Sequence, residues 1–192
     1  MLFRSSLQRA GESILYIYAR WYAKKFTSII APTETTSSEV KRILGRTVNI
    51  ISNGIDLQAF RPHLPGENES AIRQKWALPL DVPILLHVGR LDPDKHADRV
   101  IQAAAQLLGE SDGHLLIAGD GTQKSSLVKL CESLDIGNRV HFTGFVSANQ
   151  GLPEFYRIAD LFVTASESET QGIVLLEAAA SGLPCVATDA GG

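Results

Sequence analysis

Cysteine is scarce in this chain of 192 residues: Cys131 and Cys185 stand far apart, with no Cys-x-x-Cys pair. Neither a zinc site nor a disulfide framework is suggested by such usage. Charge of one sign is also lacking. A formal net charge of −3 gives no broad basic field of the kind that attracts nucleic acid regardless of sequence, so nucleic acid is not an expected partner. Apolar residues make up 44% of the chain, enough for a core. Yet no window approaches the run of about 18 apolar residues that a spanning helix requires. The opening Met1-Leu2-Phe3-Arg4 leads into apolar residues broken by Arg9, Glu12 and Arg20, which reads as neither signal peptide nor membrane span. The cytoplasm is the expected compartment. No repeat of about 20 to 50 residues and no low-complexity tract is visible.

What is present is strong periodicity. Between Phe3 and Phe26, Leu7, Ala10, Ile14, Leu15, Ile17, Tyr18, Trp21 and Tyr22 recur at mostly helical spacing, with Arg4, Arg9, Lys24 and Lys25 on a polar side. This pattern predicts one long amphipathic helix, whose aromatic stripe reads as core packing. A strand over Ser28 to Ala31, a helix opened near Thr36 to Ser38 and ending at Leu44, and a strand over Val48 to Ile51 then form a βαβ unit. Pro62, Pro65, Gly66, Asn68, Pro79 and Asp81 have the composition of a linker, dividing the chain into 1–60, a connection 61–83, and 84–192. Strands at Ile84 to Val88, His114 to Ala118, Arg139 to Phe142, Asp160 to Val163 and Pro184 to Ala187 alternate with helical segments. An α/β fold with a parallel, doubly wound sheet follows. Such sheets take ligands at the carboxyl ends of their strands.

The loops at those ends hold the chemistry. Gly89-Arg90-Leu91-Asp92-Pro93-Asp94-Lys95 follows the strand at 84–88. There Arg90 could clamp a diphosphate bidentately and Lys95 meet it as a point charge. Taken alone, both read more simply as solvated loop cations. Asp92-Pro93-Asp94 has Asp-x-Asp spacing, but the loop offers no further metal ligands, and acidic surface turns are common. Gly119-Asp120-Gly121 would let backbone approach a ligand closely, or simply turn strand into helix. The third glycine of a dinucleotide fingerprint falls on Lys124, and there is no Walker lysine-serine pair. Most informative is the polar run from Ser166 to Gly172 entering the apolar Ile173-Val174-Leu175-Leu176, with Glu169 in the loop and Glu177 about two turns on. The amides of Thr170, Gln171, Gly172 and Ile173 would form a phosphate-binding helix N-terminus. Glu177 sits where an unpaired buried charge is costly, although a helix-surface glutamate would explain it too. The histidines His63, His87, His114 and His141 form no sequence cluster.

Taken together, Asn53-Gly54-Ile55-Asp56 with Phe60, Gly89-Arg90-Leu91 with Lys95, Gly119-Asp120-Gly121, and Glu169 seven residues before Glu177 resemble the retaining glycosyltransferases of family four. The resemblance covers about Ile29 to Gly192. It implies the GT-B fold, two Rossmann-like domains with parallel sheets, both incomplete here: 1–60 from the acceptor domain and 84–192 from the nucleotide-sugar domain. It also implies a nucleoside-diphosphate sugar as donor, UDP-sugar foremost, with no metal and no cofactor. Arg90 and Lys95 would hold the diphosphate, Glu169 the sugar hydroxyls and Glu177 the ribose, with Gly89, Gly119, Gly121 and the Thr170 to Ile173 amides completing the site. Arg90, Lys95 and Glu169 would carry catalysis. Glu169-Thr170-Gln171 is similar to the glycolipid-forming branch, implying a sugar or lipid acceptor and peripheral contact with the inner membrane face through the first helix. One position departs from the family pattern: His96 stands where a glycine is usual. Two other readings stay open: a GT-B sugar-nucleotide epimerase, and a non-catalytic module that only binds the nucleotide sugar.

Overall fold

The computed structural model describes residues 6–190, with side chains from residue 13 onward. The chain divides into two compact units, one up to Asn53 and the other Gly54–Ala190.

In the first unit, helix α1 runs Ser6–Ala23. The expected helix began at Phe3, and residues 3–5 lie outside the described residues. Strands β1 (Ile30–Ala31) and β2 (Asn49–Ile50) pair in parallel around helix α2 (Glu34–Leu44). Helix α2 starts two residues earlier than the periodicity implied because Thr33 caps it, its hydroxyl accepting from the Thr36 amide at 3.2 Å. Arg20 and Arg46 tie the helices together by donating to the carbonyls of Ile43 and of Ala23 and Phe26. The aromatic stripe is not core within this unit. Tyr18, Trp21, Tyr22 and Phe26 are exposed, and among the described side chains of α1 only Ala23 is buried. No helix among the described residues is long and apolar enough to cross a membrane.

The second unit is built on a five-stranded parallel sheet: β3 (Ile84–Val88), β4 (His114–Ala118), β5 (Val140–Gly144), β6 (Leu161–Thr164) and β7 (Cys185–Ala187). Its order is β5-β4-β3-β6-β7, the winding of a Rossmann-like domain. Helices α4 (Ala97–Gly109) and α5 (Lys124–Ser133) cover one face. Helices α3 (Glu69–Lys75), α6 (Leu152–Ile158) and α7 (Ile173–Ala180) cover the other. Alternation along the strands feeds both cores. Leu85, Leu115 and Ile117 pack with Val100, Ile101 and Leu127, while Leu86, Leu116 and Phe162 pack with Phe155, Tyr156 and Ala178.

The segment 61–83, expected as a linker, belongs to this unit. Buried Arg73 on α3 donates to the carbonyls of Val82 at 2.8 Å and Ile158 at 3.2 Å, and pairs with Glu69 at 2.7 Å. Trp76 stacks edge-on against Phe155 and donates to Glu154 at 2.8 Å. Proline and glycine mark turns, but they do not show whether the turns pack. The Asp56 carboxylate accepts from the amides of Gln58 and Ala59, closing a turn that delivers Phe60 into the core beside Tyr156.

Two histidines that looked isolated meet across the sheet. Nδ1 of His114 and Nε2 of His141 are 2.9 Å apart, brought together by the parallel register of β4 and β5. Burial lowers the pKa of both below the usual 6.5, and of His87 as well. The folded state therefore binds fewer protons than the unfolded chain. The stability these groups contribute is complete above about pH 6.5 and is lost as the pH falls through their folded values. Urea unfolding is expected to give a midpoint that drops between pH 7 and pH 5, with a shallower drop in His114→Gln/His141→Gln; identical slopes would exclude the pair as a cause.

Candidate functional site

In this strand order the chain reverses its winding between β3 and β6, and the loops beyond them open a crevice at their carboxyl ends. A hollow of about 180 Å³ lies there, lined among others by His87, Gly89, Lys95, Thr164, Glu169 and Gly172. A second of about 270 Å³ shares Val88 and Gly89 and extends toward Arg90, Gly119, Asp120 and Phe145. A larger hollow of about 340 Å³, at the opposite end of the sheet, is lined by Glu69, Arg73 and Asp160. Three of its charged side chains serve structure: Arg73 pairs with Glu69 and donates to carbonyls, and Asp160 accepts from the Ile84 amide at 2.8 Å.

Lys95 and Glu169, 74 residues apart in sequence, meet across the crevice at 2.7 Å, with side chains only 15% and 23% exposed. The ammonium also donates to the Ser168 carbonyl at 2.8 Å and lies 3.4 Å from the Ser166 hydroxyl. Arg90 is 65% exposed and is held by Asp92 and, at 3.4 Å, by Asp94. Asp92 in turn accepts from the amide and hydroxyl of Thr122, which holds its carboxyl below the usual range. Both carboxylates of the Asp-x-Asp spacing are thus engaged by the chain itself.

The glycines after β4 serve this packing. A side-chain carbon on Gly119 would fall 1.8 Å from the Gly89 carbonyl oxygen, and one on Gly121 would fall 2.6 Å from Leu91 backbone. Their close approach is to the chain's own β3 loop, where the Leu91 amide donates to the Asp120 carbonyl at 2.9 Å and the Gln123 amide to Leu91 at 2.8 Å.

Of the four amides expected at this helix N-terminus, that of Ile173 lies within the helix and those of Thr170, Gln171 and Gly172 lie before it. Helix α7 begins at Ile173, with Gly172 at φ 66° as its cap, so Thr170 and Gln171 precede it. Gly172 has no side chain with which to cap the first turn. Glu177 is half-buried but not unpaired: it accepts from the Tyr156 hydroxyl at 2.8 Å, and it lines neither crevice hollow. Burial raises its pKa, against the opposing Tyr156 bond. His96, in place of the usual glycine, adopts the left-handed φ of 49° that such a glycine would supply, and its Nε2 lies 3.7 Å from Glu167. Sequence reasoning missed Thr122 and Tyr156, whose partners are remote in the chain. It also passed over His87, although a polar residue between Leu86 and Val88 in a wholly buried strand was a usable signal.

Residues 68–192 match the family described as glycosyl transferases group 1. The chain belongs to that family. It is 36% identical over 140 residues to the alpha-monoglucosyldiacylglycerol synthase of Streptococcus pneumoniae, covering 72% of this chain and 32% of that protein. It is 33% identical over 165 residues to a GDP-mannose-dependent alpha-(1-6)-phosphatidylinositol dimannoside mannosyltransferase of Mycobacterium tuberculosis, covering 85% and 41%. Among solved structures, Anabaena Alr3699/HepE in complex with UDP and glucose superposes with a TM-score of 0.80 at 27% identity, covering 92% of this chain and 48% of that one. WaaG, a glycosyltransferase involved in lipopolysaccharide biosynthesis, follows with a TM-score of 0.73 at 26% identity, covering 85% and 44%. The fold is that of the GT-B glycosyltransferases. The chain spans about a third to a half the length of these relatives.

If the two loops are fitted this closely, Gly121→Ala is expected to destabilise the second unit by about 1–3 kcal/mol, the usual cost of overpacking, and to shift Leu91. Thermal unfolding with no change would contradict the fit.

Proposed function

We propose that this chain carries the nucleotide-sugar site of a retaining hexosyltransferase, and that the site is the crevice between the ends of β3 and β6. The observation that carries the reading is the Lys95–Glu169 pair: a cation and an acceptor converge on one hollow, beside the N-terminus of α7. A diphosphate oxygen competing for the Lys95 ammonium displaces the Glu169 carboxylate, which is then free to accept from sugar hydroxyls. Arg90 adds a second cation at the rim. When the bond from the anomeric carbon to the diphosphate oxygen breaks, its electron pair leaves with the diphosphate, and fixed cations and helix amides meet that charge. The acceptor hydroxyl forms the new bond to the same carbon, on the same face, and its proton passes to the departing diphosphate oxygen. The chain's own cations take the place of a metal in this reading, and no organic cofactor enters it.

The remaining assignments are proposals of the same kind. The part before Asn53 belongs to the acceptor domain, and Glu177 holds the ribose. A UDP-sugar is the favoured donor, supported by the UDP and glucose in the HepE complex. A lipid hydroxyl is the favoured acceptor, supported by the lipid-directed names of both relatives and by exposed Trp21 and Tyr22 beside Lys24 and Lys25. Transfer of labelled hexose to vesicles containing diacylglycerol tests the acceptor, and transfer only to soluble acceptors would contradict it.

Calorimetric titration with UDP, GDP, ADP and their hexose conjugates tests the donor site. One base is expected to bind, and Lys95→Met to weaken it about 10- to 100-fold, the worth of one charge-assisted hydrogen bond. A folded chain that binds none of them, or a variant that binds equally well, would overturn the reading.

A further inference from the structure

One polar side chain against the crevice has no hydrogen-bond partner on one side. His87 is 1% exposed, and its Nε2 is buried and unpartnered among the described residues. Its Nδ1 lies 3.0 Å from the Val163 carbonyl oxygen. A carbonyl can only accept, so Nδ1 carries the proton and Nε2 presents a lone pair. Burial lowers the pKa of the ring, which keeps it in this neutral form. A buried acceptor without a donor is costly, and native structures seldom leave one without a reason.

The surroundings say what could supply that donor. The ring borders the same hollow as Lys95, Glu169 and Gly89. A side-chain carbon on residue 89 would stand 3.8 Å from Nε2, with no other contact within 4 Å. The absence of a side chain at Gly89 therefore leaves the space against Nε2 open to another molecule. That molecule must present a hydrogen-bond donor. An ionised phosphate oxygen is an acceptor and is disfavoured there, whereas a hydroxyl fits. Glu169, another acceptor on the hollow, comes to need a donor of the same kind once a diphosphate draws Lys95 away.

We propose that Nε2 of His87 accepts a hydrogen bond from a hydroxyl of the donor's hexose, making His87 a sugar-reading residue of the crevice. The role presupposes the donor site proposed above. Lys95 and Arg90 keep the diphosphate, and His87 and Glu169 take separate hydroxyls of the sugar.

His87→Asn retains an N–H for the Val163 carbonyl and removes the acceptor at the Nε2 position, because the shorter amide cannot reach it. Titrations of both proteins with UDP, UDP-glucose, GDP and GDP-mannose are expected to show one diphosphate binding both within about twofold. Its hexose conjugate should bind the variant about tenfold more weakly, the worth of one hydrogen bond. In the unaltered chain, the ¹⁵N resonance of His87 Nε2 should move on adding the hexose conjugate and stay in place with the diphosphate alone, a readout that stands even if the variant does not fold. If both ligands bind and the variant treats them alike, or the resonance responds to neither, the His87 role falls and the donor site survives. If nothing binds the unaltered chain, both fall.

Discussion

A partly buried ion pair crosses the crevice where the sheet reverses its winding. Lys95 comes from the loop after β3 and Glu169 from the loop after β6, and both are mostly withdrawn from water. Two charges so placed lose hydration, and their attraction repays that loss only if further hydrogen bonds satisfy them. The Ser168 carbonyl supplies one to the ammonium at 2.8 Å, with the Ser166 hydroxyl nearby. The pair therefore holds two loops in one register, and a cation in place, before any anion arrives. Catalysis by charge stabilisation depends on such preorganisation.

The base on which that cation stands is set by backbone contact. Gly119 and Gly121 let the β4 loop lie directly on Gly89 and Leu91, and Asp92 fastens the two loops through Thr122. The adjoining turn ends at His96, whose left-handed backbone costs on the order of 1–2 kcal/mol relative to glycine. Its contact with Glu167, and that of Arg99 with the same carboxylate, join the start of α4 to the loop before α7. A residue unsuited to its backbone angle is thus kept where it links the two sides of the crevice.

Much of this was legible in the residues. Ile84 to Val88 and His114 to Ala118 are short apolar runs between turn-forming residues, and both strands fall where the runs do. Lys95 and Glu169 stood out as candidate site residues from their loops, and the fold brings them together. Other features depend on contacts between residues remote in sequence. Arg73 and Trp76 draw the proline-rich stretch onto α6, which local composition does not encode. The His114–His141 contact is a matter of strand register, and the Tyr156 bond that satisfies Glu177 bridges 21 residues. Helix α7 starts at Ile173 because Gly172 turns left-handed, whereas hydrophobic periodicity carries no such angle.

Anionic ligands are proposed to enter at the carboxyl ends of β3 and β6. Amide chemical-shift mapping of the isotopically labelled chain with a nucleoside diphosphate tests this most directly. The expected result is a set of perturbed amides confined to Gly89, Arg90, Lys95, Glu169, Gly172, Ile173 and their neighbours. Perturbations centred instead on Glu69, Arg73 and Asp160, around the larger hollow at the opposite end of the sheet, would contradict the account.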